Sequence, residues 1–219
     1  MAKFFGLFGK VARAASSLYF LEKNLGKQDR SVSSIDELLD ANRACLDALS
    51  TLDSSSLDLG CGARPQNPFS AKRVCGVDIR DDVDHNVVKA NLMVEPIPFA
   101  DQQFEFCTAI NFIEHIPRVN VGIGGEVNFP VVQIMNEICR ILKPSGFFMS
   151  ITPAYPAKEA FQDPTHVNFI TEETFRNYFS SGCHGAPWAQ IYGFRGRFEL
   201  VDQAWLHNSF LITLMRTFP

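Results

Sequence analysis

The stretch Ser56-Leu57-Asp58-Leu59-Gly60-Cys61-Gly62-Ala63-Arg64-Pro65 decides how the rest of the chain is read. An apolar run, long enough for a buried strand, passes straight into two glycines one residue apart. Glycine there lets the backbone turn sharply and approach a ligand that any side chain would block. Sixteen positions past Gly62, a second short apolar segment, Val77-Asp78-Ile79, carries an acid near its end. A carboxylate at such a strand end can take both hydroxyls of a ribose. Together the two features call for a nucleoside-containing ligand, either a dinucleotide or S-adenosylmethionine.

Outward from this stretch, strands and helices alternate. Ser34-Ile35-Asp36-Glu37 is a capping box that opens a helix to about Leu49, with Ile35, Leu38, Leu39, Leu46 and Leu49 on one face. Strands are expected at 56–59, 73–79, 104–111 and 147–151, and a helix at 129–142 stopped by Lys143-Pro144-Ser145-Gly146. Thr171 caps a helix over 172–179. Segments 198–205 and 210–216 lie too close for a crossover helix and must form an antiparallel hairpin. The expected fold is α/β: a Rossmann-like, seven-stranded, mostly parallel sheet with an antiparallel C-terminal hairpin and helices on both faces. Ligands of such sheets sit beyond the carboxyl ends of the strands, where the glycine turn lies.

The dinucleotide fingerprint needs a third glycine and a helix opening at once. Here Pro65 and Pro68 delay any helix and the third glycine is missing. Asp58 adds a second carboxylate, unhelpful to a pyrophosphate but suited to the ammonium of an amino acid, directly or through water. The chain resembles class I S-adenosylmethionine-dependent methyltransferases of the type 11 small-molecule group. Leu57–Gly62 resembles the first motif of that family and Val77-Asp78-Ile79 the second. Asn91-Leu92 with Pro96-Ile97-Pro98-Phe99, Asn111–Ile116 and Glu137–Gly146 resemble the later ones, in order, across about residues 35–216. The resemblance implies S-adenosylmethionine as cofactor. It implies that Asp58, Gly60, Cys61 and Gly62 hold its amino-acid end, Asp78 and Ile79 its ribose side, and Asn91 and Leu92 its adenine. Asn111 is implied to contribute backbone at the end of the fourth strand. Asn91 stands where the family usually has Asp, and Ser145 where it usually has Gly.

Methyl transfer to a hydroxyl gains from a general base, and histidine serves near neutral pH. His166, in Gln162-Asp163-Pro164-Thr165-His166-Val167, is the expected base, with Asp163 orienting it; His115, in Ile113-Glu114-His115-Ile116, is the second candidate. The segment DPTHVNFITEETFRNYF also resembles one in bacterial methyltransferases associated with surface sugars. Asp163, His166, Glu114 and His115 form a mixed donor set that a metal could use, but no tight ligand spacing such as HExxH occurs and no metal is expected. Residues 118–129 and 180–197 are expected to border the acceptor, with Trp188, Tyr192 and Phe194 as stacking candidates and Arg195 and Arg197 as anion contacts.

The expected function is methyl transfer to a small molecule or a sugar-containing glycan precursor, at oxygen. The alternatives are N- or C-methylation of another metabolite, a cofactor-binding partner subunit without catalysis, and a dinucleotide oxidoreductase. Net charge is −4, which gives no footprint for nucleic acid. The end of the fourth strand also lacks the Asn/Asp-Pro-Pro-aromatic sequence of base-modifying enzymes. Six cysteines without a CxxC pair read as free thiols in a reducing cytoplasm. The expected division is 1–34, an N-terminal amphipathic helical segment, and 35–219, the cofactor-binding domain. Residues 1–20 are rich in Phe and carry Lys3, Lys10 and Arg13. They read as a helix packed on its own domain, with membrane-surface contact as the alternative. Acceptor and oligomeric state are left open.

Overall fold

The computed structural model describes residues 30–49, 53–180 and 186–218. The expectations for residues 1–29, membrane contact through residues 1–20 among them, lie outside this set. The strands in chain order are β1 (Ser31–Val32), β2 (Ser55–Leu59), β3 (Arg73–Asp78), β4 (Val87–Lys89), β5 (Phe104–Ile110), β6 (Asn120–Val121), β7 (Val127–Asn128), β8 (Leu142–Pro153), β9 (Phe198–Leu206) and β10 (Phe210–Thr217). Eight of them form one sheet in the order β1-β9-β10-β8-β5-β2-β3-β4, and β6 pairs with β7 as a separate ribbon. β10 runs antiparallel to both β8 and β9, as the short connection requires; the pairings from β4 across to β8 are parallel. The sheet has one strand more than the expected seven because Ser31 and Val32 pair with Trp205 and Leu206. β4, also unforeseen, is three residues long, too short for an alternating pattern to declare it.

β2 lies between β5 and β3, buried along its whole length. The chain leaves it toward β3 on one side and later returns to β5 on the other. The Gly60 turn therefore sits at the point where strand order reverses, the place that such sheets leave open for a ligand.

Both faces are covered. Helix α1 (Ile35–Ala41) and α2 (Arg43–Leu46) pack Leu38, Leu39 and Leu46 on one face, beside Phe69 stacked on Phe106 with ring centroids 4.5 Å apart. The expected continuous helix to Leu49 breaks at Asn42. Its side-chain amide donates to Leu38 O and to Asp202 Oδ2 on β9, a tertiary partner that no local pattern reveals. Helix α3 (Pro130–Ile141) covers the other face with Val131, Ile134, Met135, Ile138 and Ile141. Each such side chain, fully buried, contributes about 1.5–3 kcal/mol. Leu142 turns extended directly after α3 and begins β8 opposite Phe104, so β8 starts five residues before the expected Phe147. Ser145 takes φ +65, the conformation that explains why glycine suits this position. The short helix α4 (Glu159–Gln162) follows β8, and α5 (Glu172–Tyr178) packs Phe175 into the core. Thr171 stands at its N-cap as expected, and Thr174 Oγ1 accepts from Thr171 N–H at 3.0 Å. Among the described residues no helix is long and apolar enough to cross a membrane.

Candidate active site

The Gly60 turn is shaped by β3 beneath it. Gly60 N–H donates to Val77 O at 2.8 Å, and Gly62 N–H to Asp78 Oδ2 at 2.9 Å. Gly60 has φ +66 and Gly62 φ +65. A Cβ built on Gly60 would lie 2.3 Å from the Phe112 ring, so the turn is also closed from the β5 side. Gly76 permits the same approach from below: a Cβ there would meet Cys61 Sγ at 2.3 Å. Phe112 and Gly76 were not singled out from sequence, since their roles follow from neighbours in space.

Asp78 ends β3 and is 8% exposed. Besides Gly62 N–H it accepts from Arg80 Nε at 2.9 Å and Arg80 N–H at 3.2 Å. Burial works to raise its pKa, but the hydrogen bonds from Arg80 and Gly62 outweigh that and hold the carboxyl below its ordinary value. Asp58 lies one layer deeper, at 1% exposure. Its oxygens accept from Thr108 Oγ1 at 2.7 Å and Gln66 N–H at 2.8 Å. Burial pushes its pKa up to about 6, against those two donors. Asp58 therefore ties β2 to Thr108 on β5 and to the backbone of Gln66 after the turn. Burial, with the charges of Asp58 and Asp78 nearby, lifts the Cys61 thiol to about 12, which keeps it from acting as a thiolate.

A cleft of about 340 Å³ opens over these elements. Gly60, Asp78, Ile79, Asn91, Leu92, Asn111 and His115 all line it, so residues named from four separate motifs meet at one place. Asn111 stands at φ +51 after β5, a left-handed position that Asn tolerates. Asn91 Oδ1 accepts from Met93 N–H at 3.2 Å, which uses part of its acceptor capacity locally. The donor set fits S-adenosylmethionine: a glycine turn that leaves room, a carboxylate at the ribose position, and a buried Leu92 beside an Asn for the adenine.

The expected base and its partner are close without being bonded: His166 Nε2 is 3.9 Å from Asp163 Oδ2, too far for a hydrogen bond. Asp163 instead accepts from Thr165 Oγ1 at 2.7 Å and Thr165 N–H at 2.8 Å, and these two bonds lead the effects that lower its pKa. Thr165 Oγ1 in turn meets His115 Nδ1 at 3.0 Å. The orienting contact thus runs Asp163–Thr165–His115. His115 and His166 pack edge to face, centroids 4.9 Å apart. Glu114, 2% exposed, joins them; its donor atom and theirs lie within 4.8 Å of one another. Burial pushes its carboxyl up to about 7, with its own backbone N–H opposing and the Asp163 charge adding to the rise.

A second cavity of about 320 Å³ is lined by Arg118, Phe129, Asn168, Tyr178 and Tyr192, among others. Asn168 joins it to the histidines, since its N–H donates to Glu114 O at 2.9 Å and its amide to Ile113 O at 3.2 Å. Of the expected aromatic contacts, Tyr192 lines this cavity and Trp188 is exposed, while Phe194 is buried among Phe179 and Phe198 as core. Arg195 borders a different cleft, beside α3.

Comparisons with known proteins agree with this geometry. A family profile described as a methyltransferase domain matches residues 30–181. No curated protein matches the sequence. Among solved structures, a Galdieria sulphuraria protein proposed to be a sarcosine dimethylglycine methyltransferase is 13% identical, with a TM-score of 0.53 and 84% of each chain covered. The [4+2]-cyclase SpnF is 14% identical, with a TM-score of 0.52, covering 88% of this chain and 84% of its own. A Bacillus halodurans protein proposed to be a methyltransferase is 14% identical, with a TM-score of 0.50 and coverage of 81% and 98%. Such identities speak for the fold; the profile, spanning more than half the chain and the whole cofactor cleft, speaks for the family. The chain belongs to the methyltransferase-domain family and is an S-adenosylmethionine-dependent enzyme.

Proposed function

We propose that the enzyme methylates an oxygen of a small molecule or a sugar-containing glycan precursor. The observation that carries this is His115, which lines the cleft, with His166 packed edge to face against it. The Thr165 hydroxyl donates its hydrogen bond to Asp163, so its oxygen is left to accept from His115 Nδ1–H. Nε2 of His115 is then the unprotonated nitrogen, able to receive a hydroxyl proton. His166 Nδ1 approaches Ala160 O at 3.4 Å, which favours the same tautomer. An amine acceptor would need no such pair.

When bound, the cofactor supplies an electrophilic methyl group. The chain's own residues do the rest. Asp78, with Gly62 beside it, meets the ribose hydroxyls in exchange for Arg80. The turn backbone at Gly60–Gly62, braced by Asp58, receives the amino-acid end. Asn91 and Leu92 flank the adenine. Tyr178, Tyr192 and Phe129 give the neighbouring cavity aromatic walls suited to a ring, and Arg118 adds a cation at its edge. The acidic net charge supports a small acceptor rather than nucleic acid. The five described cysteines are free thiols, in keeping with the cytoplasm.

The test is isotope-labelled S-adenosylmethionine with parallel panels of hydroxylated sugars and phenols on one side and amines on the other. O-methylated product is expected, with turnover in His115→Ala and His166→Ala lowered roughly 10²–10⁴-fold. Labelled amines formed equally well by those variants would overturn the proposal.

A further inference from the structure

Glu114 is a buried acid with an unsatisfied side chain. It sits in a single helical turn, Ile113–His115, after β5, between Ile113 and Ile116, which are both fully buried. Neither of its carboxylate oxygens makes a hydrogen bond to another residue. A carboxylate removed from water with no partner is costly, and a packing role would need no charge at all. Yet its backbone is held firmly: Glu114 O accepts from both Val167 N–H and Asn168 N–H at 2.9 Å. Those bonds clamp the turn carrying Glu114 and His115 against the segment carrying His166.

What faces the carboxylate is two imidazoles. One donor atom from each of Glu114, His115 and His166 lies within 4.8 Å of the others, and among the described residues this is the one such gathering of three or more His, Cys, Asp or Glu side chains. Both histidines have Nδ1 engaged, His115 by Thr165 and through it Asp163, His166 by Ala160 O, while His166 Nε2 stands 3.9 Å from Asp163 Oδ2, beyond hydrogen-bond reach. An outer hydrogen bond of this kind fixes the ring and aims its other nitrogen, as is usual for histidines that bind metals.

We propose that Glu114, His115 and His166 form a site for a divalent transition-metal ion, with one carboxylate and two imidazole ligands. Two imidazoles favour zinc, cobalt, iron or manganese over magnesium and calcium, which prefer oxygen alone. Bonds of about 2.0–2.2 Å in a tetrahedral arrangement put two donors about 3.3–3.6 Å apart, so the side chains draw together by about 1 Å to share one ion. Three protein ligands leave coordination positions open. His115 also lines the cofactor cleft, so an ion here stands beside it and can take an oxygen donor, a hydroxyl of the acceptor, and make it more acidic. That role rests on the O-methylation reading above; the metal site does not. It also changes what the histidines do, from accepting the proton themselves to holding the ion that labilises it.

The test is cobalt(II) chloride titrated into tag-free, full-length protein after chelator treatment and dialysis, followed by calorimetry and visible absorption. One ion per chain is expected, displaced by zinc. Glu114→Gln, His115→Ala and His166→Ala should each weaken binding by at least about tenfold. His85→Ala, whose ring pairs with Asp82 on another part of the sheet edge, should leave it unchanged. If Glu114→Gln fails to fold by circular dichroism, the two histidine variants decide. No saturable binding by the wild type up to about 1 mM cobalt, or equal binding by the histidine variants, overturns the site. S-adenosylhomocysteine titrated into the same metal-free protein separates the two readings. Binding of that ligand without binding of cobalt removes the metal site alone. Binding of cobalt without it keeps the site and removes its role toward the acceptor.

Discussion

Gly60 carries two independent demands. Its φ of +66 costs a residue with a Cβ roughly 1–2 kcal/mol, and the Phe112 ring occupies the space that the Cβ would take. Gly60→Ala is therefore expected to lose more than the conformational cost alone in a urea titration, and Phe112→Ala in the same chain should recover only the steric part. A variant as stable as the wild type would contradict this account of the turn. Asp58 makes a different prediction, because its pKa rises from 3.8 to about 6 on folding, chiefly through burial. The folded chain then binds that proton more tightly than the unfolded chain. The stabilising contribution is complete below about pH 4 and is lost as pH rises through 6. Compared with Asp58→Asn, the wild type should lose on the order of 2–3 kcal/mol between pH 4 and pH 7. A difference between the two that stays flat with pH would remove Asp58 from the buried position described.

At the scale of elements, Arg140 ties α3 to the loop before β5. Its guanidinium donates to Ile97 O at 2.9 Å, Phe99 O at 2.8 Å, Asp101 at 2.7 Å and Glu137 at 2.9 and 2.7 Å. Arg140→Ala should cost about 2 kcal/mol and speed hydrogen exchange at Phe99, whose N–H bonds Ile97 O; unchanged exchange would show that the loop holds itself. This loop was visible in the sequence as Pro96-Ile97-Pro98-Phe99, and so were the Gly60 turn, Asp78 and the helix α3, because each declares itself within a few residues. What stayed hidden depends on distant partners. The break at Asn42 is made by Asp202, 160 positions away. The meeting of Glu114 and His115 with His166 spans about 50 residues and is created by β5 and β8 lying side by side. Asp163 was read as orienting His166 because the two are close in sequence; Thr165 intervenes and carries the contact to His115 instead.

Across the whole molecule, the sheet brings the carboxyl ends of β2, β3 and β5 together, and four motifs that are separate in the chain become one cleft. Fold alone does not fix the reaction: a [4+2]-cyclase shares this architecture. The family assignment and the cleft must therefore be tested through the cofactor. If the cleft is its site, S-adenosylhomocysteine at about a hundred times its Kd should raise unfolding stability by about 2.7 kcal/mol. The most direct measurement is a calorimetric titration of S-adenosylhomocysteine, with NAD in parallel, into the wild type and Asp78→Ala. The account predicts one site per chain for S-adenosylhomocysteine, none for NAD, and affinity at least about tenfold weaker in the variant, as follows if Asp78 takes the ribose hydroxyls. Equal binding by the variant, or a preference for NAD, would contradict it.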